Sequence, residues 1–574
     1  MSKSKLIDKE VKQRQRIKPS EEKKTLKKVR DNSPIHVIEV ELLVEERFDW
    51  KLQRIQEHLR QIRNTILGEV MKNYIQMKRT KKYKRTMKNY ISTVKHIGKE
   101  KDKKQLALLE KDKKELKKQF EELRDEFNIT FEFVRKYGEY LKGNIFTLPD
   151  AVTTLSVCEN VWTSFENILY GTSEKPYFYK KDDVVTLQGK QAERCIILKH
   201  NQKRNSFCIH FNGLNLPLKV KKNDLFINET LSNIIYYKNN SENIDRVNVE
   251  RHNQGLNVLP TYRIKNNRIV RKNIRGKNRY YVQIVLEGKP VQKRNKDGSF
   301  RHSKGTGRIT CDIGTQSVAI VSKEEVILKN LAERSENSFV HEHKIHLLQR
   351  YLDRSRRAMN PNNFNENGTV KRGRREWIVS KRYLLAKQRI KNLHRKAAES
   401  RKYAHNEDIN YLRSLGDECL IENMNIKALQ LRAKEVTINE KTGRYNRRKR
   451  YGESIRKRSP GYFIEQIKYR FKISGGKVDE VNTWTFKASQ YDHVLDDVNK
   501  KQLSKRWHVL PNGIKLQRDL YSAFLLYCSN DDLQTPSQNL CLEFFDKFHK
   551  MHDICVQNIK DHRKMVLNSG IKIL

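Results

Sequence analysis

A single carboxylate on an apolar strand constrains the fold of this chain more than any other feature. The segment from Arg308 to Leu331 predicts three short strands, and in the first of them apolar side chains alternate with Thr310, Asp312 and Gly314. A carboxylate in such a place needs a positive partner, and a bound cation is a common one. An edge-strand aspartate that faces water has the same local sequence, so the interpretation depends on whether other carboxylates join it.

Two later carboxylates stand in similar surroundings. Glu422 ends the apolar run Cys419 to Ile421, and Asp519 lies on the apolar stripe of a helix predicted from Ile514 to about Tyr527. Two strands and one helix can bring one acid each to a single point of an α/β layer. Three carboxylates can hold two hard cations, which activate a water and stabilise the leaving oxygen in phosphodiester hydrolysis. The sequence contains no Walker loop, HExxH motif or nucleophile elbow that would favour another chemistry.

The charge of the chain predicts a polyanionic partner. It has 119 Lys and Arg against 68 Asp and Glu, a net charge of +51 that is spread along the whole length. Such a surface favours RNA or DNA, because each neutralised phosphate releases counterions. No apolar run approaches the length of a membrane span and no signal-peptide core follows the N-terminus, so we expect an intracellular protein without membrane attachment. The eight cysteines form no CxxC pair, which predicts neither a disulfide framework nor a zinc ribbon.

Composition divides the N-terminal half into four parts. Residues 1–33 are rich in lysine and predict a disordered basic arm, and residues 47–171 are dominated by helical patterns. Short alternating strands around turns such as Asn212-Gly213 occupy 172–305. We expect these strands to form a small β-barrel that is completed by an early strand within 34–46, with the helical block inserted between them.

Several basic clusters are candidates for nucleic-acid binding. We expect lysines and arginines in the helical block, before Tyr280, in two later basic helices and in a basic loop to contact phosphates. Tyr83 would either stack on bases or pack against its neighbours. The candidate residues are Lys78, Arg79, Lys82, Tyr83, Arg85, Arg271, Arg275, Arg279, Arg354, Arg357, Arg447 and Arg448.

Three segments carry a resemblance to a known family: CDIGTQSVAIV around Asp312, LIENMNIKAL around Glu422 and IKLQRDLYSAFLL around Asp519. They resemble the three motifs of the RuvC-type nuclease of transposon-encoded TnpB proteins and of their relatives, the type V CRISPR effectors. In that family the motifs supply an Asp, a Glu and an Asp. The match therefore implies that Asp312, Glu422 and Asp519 are catalytic and bind two Mg²⁺ ions, with Mn²⁺ as an alternative.

The resemblance also implies an architecture. The protein would be a bilobed, multidomain α+β protein, with a wedge-like N-terminal β-barrel, an inserted helical domain and a C-terminal RNase H-like nuclease with helical insertions. The nuclease would occupy 306–484, with a basic helical insertion at about 335–410, and 511–574. Many family members carry a four-cysteine zinc ribbon after a Ser-Gln pair, but Tyr491, Asp492 and His493 follow Ser489-Gln490 here. We therefore expect the segment 485–510 to replace the ribbon without zinc.

What the resemblance implies is an RNA-guided DNA endonuclease. Its partners would be a guide RNA and a double-stranded target DNA that carries a short adjacent motif. It would work in the cytoplasm or nucleoid of a prokaryotic cell, and the sequence leaves open whether it is a monomer or a dimer. The alternatives are a compact type V CRISPR effector, an RNA-guided repressor without nuclease activity and an RNA-free RuvC-like nuclease.

Overall fold

The path of the chain was obtained from a computed structural model. It divides into two compact units, Met1–Lys289 and Pro290–Leu574. The residues that the structure describes are 21–98, 100, 102–181, 183–190, 194–203, 206–333, 336–432, 435–438, 443, 445–446, 451–500, 502 and 505–573. No helix in these ranges combines the length and the apolar character that crossing a membrane requires.

The N-terminal unit begins with helices and continues into two sheets. Its elements are α1 (Glu21–Asn32), β1 (Ile35–Leu42), α2 (Glu46–Arg79), α3 (Lys81–Ile97), α4 (Lys103–Glu126), α5 (Phe131–Asn144), α6 (Ala151–Leu169), β2 (Leu187–Gln188), β3 (Ile197–Asn201), β4 (Ser206–Phe211), β5 (Leu214–Pro217), α7 (Leu225–Asn253), β6 (Arg263–Ile274) and β7 (Lys277–Glu287). Helix α2 buries Leu52, Ile55 and Leu59, whose spacing of three and four residues places them on one helical face. This face joins a core with α5, α6 and the sheets.

The strands of this unit form two open sheets. One has the order β1-β7-β6-β2 and the other the order β3-β4-β5. A bridge between Leu42 and Leu218 connects β1 to the end of β5. At the other side, β2 pairs with β6 over two residues only, and no ladder among the described strands continues from it to β3. The prediction of a closed β-barrel is therefore wrong for the described part of the chain. The two-residue strand β2 forms a ladder with β6 only, so the two sheets are not joined at this side.

Part of the predicted disordered arm is helical. In α1, Val29 is only 4% exposed and Arg30 donates a hydrogen bond to the Asp245 carboxylate of α7 at 2.6 Å. The lysine-rich composition concealed this helix, because its order depends on α7, which lies more than 200 residues later in the chain. Residues 1–20 lie outside the described residues, so the prediction for them stays untested.

The C-terminal unit is built on a five-stranded sheet. Its elements are β8 (Arg308–Ile313), β9 (Ser317–Ser322), β10 (Val326–Asn330), α8 (Glu336–Met359), a 3₁₀ turn (Pro361–Asn363), α9 (Lys381–Leu415), β11 (Glu418–Glu422), α10 (Ile426–Leu429), α11 (Gly452–Arg458), α12 (Pro460–Ser474), β12 (Lys477–Val481), α13 (Thr483–Phe486), β13 (Tyr491–Asp492), β14 (Asp497–Val498), β15 (Trp507–Val509), β16 (Lys515–Gln517), α14 (Arg518–Tyr527) and α15 (Gln538–Asp561). The strand order is β10-β9-β8-β11-β12. The three strands predicted around Asp312 are present as β8, β9 and β10, and they are antiparallel. Strand β11 runs parallel to both β8 and β12.

Helices cover both faces of this sheet. Phe463, Ile467 and Phe471 of α12 pack on the face formed by Ile309, Cys311 and Ile421, together with residues of α9. On the opposite face, α14 and α15 pack against alternate residues of the same strands. The helix predicted from Ile514 to about Tyr527 begins later than expected, at Arg518. Residues 515–517 before it form the strand β16, which pairs with β15.

Candidate active site

Asp312 and Glu422 lie side by side on neighbouring parallel strands. The ladder between β8 and β11 pairs Cys311 with Ile421, so the next residue on each strand is one of the two acids. Thr310 donates a hydrogen bond from Oγ1 to the carbonyl oxygen of Ala523 in α14 at 2.7 Å. Because side chains alternate along a strand, Asp312 points to the same face as Thr310, toward α14. Glu422 shares that face, since it follows the core residue Leu420 by two positions.

Asp519 reaches this group from the first turn of α14. Gln517 is the N-cap of the helix and accepts a hydrogen bond from the Leu520 amide through Oε1 at 2.8 Å. Its Nε2 donates to Asp519 Oδ2 at 3.4 Å, and Arg518 Nη2 lies 3.6 Å from Asp519 Oδ1. The N-terminus of a helix also favours a negative charge. The helix start thus positions Asp519 and supplies it with a cation from the adjacent residue.

The three acids interact electrostatically. Burial raises the pKa of Asp312 well above its usual value, and the charges of Glu422 and Asp519 raise it further, while Arg518 acts in the opposite direction. Burial also raises the pKa of Glu422 to about 7. Both strand acids keep part of their surface exposed. The structure therefore brings together the three acids that the sequence singled out, at a position where their negative charges oppose one another.

The donor set suits a hard cation, but the side chains are not arranged as a coordination shell. Among the described residues, no group of three or more His, Cys, Asp or Glu side chains could hold a metal ion as it stands. Like charges that raise the pKa of Asp312 are what a divalent cation would offset. Arg518 already offsets part of this negative charge, since it lowers the pKa of Asp312. Sequence analysis missed this arginine, although its position beside Asp519 in the third motif was a usable signal.

The basic residues of the helical block are exposed, but Tyr83 is not. Lys78 and Arg79 end α2, and Lys82 and Arg85 lie on the exposed side of α3. Tyr83 is 8% exposed, and its ring meets the edge of Phe120 at 5.7 Å. Of its two predicted roles, packing is the one that the structure supports, because a buried ring offers no face to a base.

The predicted basic approach to Tyr280 is a β-hairpin formed by β6 and β7. Arg275 lies in its two-residue turn with a φ of 53° and is exposed. Arg279 Nη1 contacts the Glu41 carboxylate at 3.1 Å, and the neighbouring Lys272 pairs with Glu39. Arg271 is partly buried. Acidic side chains of β1 therefore neutralise part of this cluster, which the linear sequence could not indicate.

The basic helices of the second unit have different environments. Arg354 on α8 is exposed. Arg357 donates to Asp353 Oδ2 and to the Gly368 carbonyl oxygen, each at 2.9 Å, and its guanidinium lies 4.8 Å from the Phe364 ring centre. It thus holds the loop after α8. Arg447 and Arg448 lie outside the described residues.

The segment predicted to replace a zinc ribbon is tied down by buried polar contacts. Asp492 Oδ2 and His508 Nε2 are 3.0 Å apart, and both side chains are buried. His493 Nδ1 lies 2.8 Å from the Tyr521 hydroxyl of α14, and burial lowers the pKa of His493 to about 4. The first contact joins the two ends of the segment, and the second anchors it to α14. The absence of zinc remains a prediction.

Comparisons with known proteins give little beyond this geometry. No family model and no curated protein matches the chain. One similar solved structure is the Cas12i1 R-loop complex after target DNA cleavage, at 10% identity and a TM-score of 0.23, covering 89% of this chain and 64% of that one. The selenomethionine form before cleavage aligns at 10% identity and a TM-score of 0.24, covering 91% and 66%. The chain spans just under two thirds of the length of these proteins, and at such TM-scores neither alignment carries a conclusion about fold or activity.

Proposed function

We propose that this protein is an RNA-guided DNA endonuclease that hydrolyses phosphodiester bonds at Asp312, Glu422 and Asp519. The observation that carries the proposal is the convergence of these acids on one face of the five-stranded sheet, where Glu422 and Asp519 raise the pKa of Asp312. A fold stabilised only by packing would gain nothing from three acids placed together, since buried charges without partners are costly.

Asp312, Glu422 and Asp519 are the residues that would hold Mg²⁺, or Mn²⁺ in its place. Two such ions supply an activated water and stabilise the leaving oxygen, and no protein nucleophile is required. Asp312 and Glu422 are fixed by the strand ladder, and the Gln517 cap fixes Asp519. Arg518 offsets part of the negative charge of the group before a cation arrives.

The guide RNA and the target DNA are proposed on the basis of charge and of the motif resemblance. The net charge of +51 suits a protein that encloses both nucleic acids. The exposed basic residues of α3 and the hairpin turn at Arg275 are the proposed phosphate contacts. Whether the chain belongs to a transposon or to a CRISPR locus would follow from the neighbouring DNA, and the chemistry would be the same in both cases.

The test is expression of the full chain with its native flanking DNA, followed by sequencing of the co-purified RNA and by a cleavage assay. We expect one defined RNA that ends in a variable segment, and cutting of DNA that matches this segment. Glu422→Gln should abolish cutting and leave target binding intact. EDTA should stop the reaction, while a zinc-selective chelator should not.

Random RNA fragments together with cutting of unmatched DNA would support the RNA-free nuclease instead. Cutting by Glu422→Gln at the wild-type rate would show that the site is assigned wrongly. Inhibition by the zinc-selective chelator would mean that the segment 485–510, or another part of the chain, binds zinc.

A further inference from the structure

One indole of the C-terminal unit faces solvent almost completely. Trp484 is 85% exposed and is the most exposed large apolar side chain among the residues that the structure describes. Tryptophan is usually buried to a large extent, since its ring contributes more apolar surface than any other side chain. An indole displayed in this way is typical of a residue that meets a partner.

Its helix is anchored so that the indole is held outward. Trp484 belongs to the four-residue helix α13, which Asn482 caps by accepting a hydrogen bond from the Trp484 amide at 3.0 Å. Phe486 of the same helix is 1% exposed and belongs to the core beneath α14, as does Ala488. The helix therefore has the Phe486 side chain in the core and the Trp484 side chain in solvent.

The backbone at Trp484 lies within a bounded distance of the acid group. Glu422 pairs with Val481 across β11 and β12, and the Asn423 amide donates to the Val481 carbonyl oxygen at 2.9 Å. Neighbouring strands are roughly 4.8 Å apart and three residues span at most about 11 Å, so the Cα of Trp484 lies within about 16 Å of the Cα of Glu422. That distance corresponds to no more than about five stacked nucleotides of one strand.

The surroundings of Trp484 favour an anionic strand over an apolar partner. Lys487 follows Trp484 by three residues at the end of α13, and its side chain is exposed. An aromatic ring beside a basic side chain is an arrangement that binds single-stranded nucleic acid, since a base stacks on the ring while the cation meets a phosphate. A protein partner would instead need a larger apolar surface around the indole, whereas Thr483, Thr485 and Ser489 are polar.

We propose that Trp484 is a stacking site for one unpaired nucleobase of the DNA strand that the acid group cuts. This inference rests on the proposed nuclease function and adds a positioning residue to it. Stacking would hold the strand within a few nucleotides of Asp312, Glu422 and Asp519. Because every base offers a π face, the site would accept any sequence.

The test measures binding of a fluorescent 12-nucleotide oligo(dT) to the full-length protein as purified, with Asp312→Asn as the background that prevents cutting. We expect Trp484→Ala to weaken binding roughly 5- to 150-fold, the range that the loss of one stacked base gives. Trp484→Phe keeps an aromatic face and should retain most of the affinity. Ile554→Ala is the matched control, because Ile554 is an apolar side chain of α15 that is 61% exposed.

An abasic strand of the same length has the phosphates but no bases, so it distinguishes loss of base stacking from a general loss of affinity for the backbone. We expect Trp484→Ala and its parent to bind the abasic strand equally. Equal binding of oligo(dT) by both proteins, or the same loss on the abasic strand, would overturn the inference.

Cleavage of matched DNA by the wild type, measured in parallel, keeps the two proposals apart. If the wild type cuts matched DNA but Trp484→Ala binds oligo(dT) as tightly as its parent, the stacking site alone is refuted. Weaker oligo(dT) binding by Trp484→Ala without any cleavage by the wild type would refute the nuclease proposal and, with it, the claim that the bound strand is the one that is cut; Trp484 would then be a stacking site for single-stranded DNA only.

Discussion

Asp312 illustrates how a residue proposed to be catalytic can work against the stability of its own strand. It is flanked by Cys311 and Ile313, which are buried, and it stands beside Glu422 on the next strand. Its pKa is raised by burial and by two neighbouring acids. A carboxylate that binds its proton more tightly in the folded state destabilises the fold once the pH exceeds its unfolded pKa. A divalent cation held by the three acids, as proposed, would offset this cost.

We expect Asp312→Asn to be more stable than the wild type in EDTA at pH 8. The folded protein binds a proton more tightly than the unfolded chain at this site, so stability decreases as the pH rises from about 4 through the raised pKa. Asparagine carries no charge, so the gain should be present at pH 8 and small at pH 4. Thermal unfolding at both pH values measures it.

Asp531→Asn serves as the control, because Asp531 is exposed and its substitution should change little. Addition of Mg²⁺ should raise the unfolding temperature of the wild type more than that of Asp312→Asn. An unfolding temperature of Asp312→Asn at or below that of the wild type at pH 8 would contradict the electrostatic argument.

Arg518 is the residue that tunes this group of acids. Its charge lowers the pKa of Asp312, and its guanidinium lies 3.6 Å from Asp519. We therefore expect Arg518→Gln to shift the acidic limb of the pH–rate profile of cleavage to higher pH, because Asp312 would then hold its proton longer. Lys515→Gln removes a nearby exposed lysine and should leave the limb in place. An unchanged profile for Arg518→Gln would show that the arginine serves packing only.

At the scale of elements, the register between β8 and β11 is what places the two strand acids together. Gly416 precedes β11, and a Cβ at this position would overlap the Gly307 carbonyl oxygen and lie 2.9 Å from Ile309 Cγ2. The amides of Asp417 and Glu418 both donate to the same Gly307 carbonyl at 3.1 Å. The close contact between Gly307 and Gly416, at the amino ends of β8 and β11, thus sets the register of these strands. The same register places Asp312 beside Glu422 at their carboxyl ends.

Gly416→Ala should destabilise the C-terminal unit by about 1–3 kcal/mol, because the backbone of one strand must move to admit the methyl group. Its cleavage rate should also decrease, since the same movement displaces Glu422 from Asp312. Urea unfolding and single-turnover cleavage measure the two effects.

Gly143→Ala is the matched substitution, because Gly143 lies in helix α5 with open space beside it. It should be neutral or stabilising by about 0.5 kcal/mol, since alanine favours helix more than glycine does. A Gly416→Ala variant as stable as Gly143→Ala would show that this approach does not set the register.

At the scale of the whole molecule, some basic side chains are neutralised by acidic neighbours, while others face solvent. Arg279 and Lys272 face Glu41 and Glu39, whereas Arg275 at the turn of the same hairpin is exposed. Only cations that exchange counterions for phosphates contribute to the salt dependence of binding. The formal charge of +51 therefore exceeds the charge that acts on nucleic acid.

This difference predicts the salt dependence of nucleic-acid binding. With six to ten phosphate contacts, affinity should fall by about 10³- to 10⁵-fold between 50 and 200 mM salt. Arg275→Ala should reduce the slope of log K against log salt by about 0.7–0.9, the value for one lost contact. Arg279→Ala should reduce it less, because Glu41 already neutralises Arg279. Equal changes in slope for the two variants would contradict the pairing seen in the hairpin.

The sequence by itself determined the features that depend on short-range patterns. Alternation of apolar and polar residues located β8 and set Asp312 apart, because the two faces of a strand follow directly from its two-residue period. Short apolar runs between polar turns located β9 and β10. Local backbone preferences also indicate a helix that starts at Pro460 and ends before Gly475, and α12 has these bounds, although the Ser459 side chain forms no capping hydrogen bond. Apolar runs ending in one acid likewise placed Glu422 at the end of β11.

The tertiary structure decided everything that depends on distant partners. The order of α1 depends on Asp245, the burial of Tyr83 on Phe120, and the charge state of the acid group on Arg518. The open sheets, the neutralised hairpin and the exposure of Trp484 follow from which strands and helices meet. Burial and charge pairing are properties of neighbours in space, and neighbours that lie 37 to 215 residues apart leave no periodic signal in the sequence.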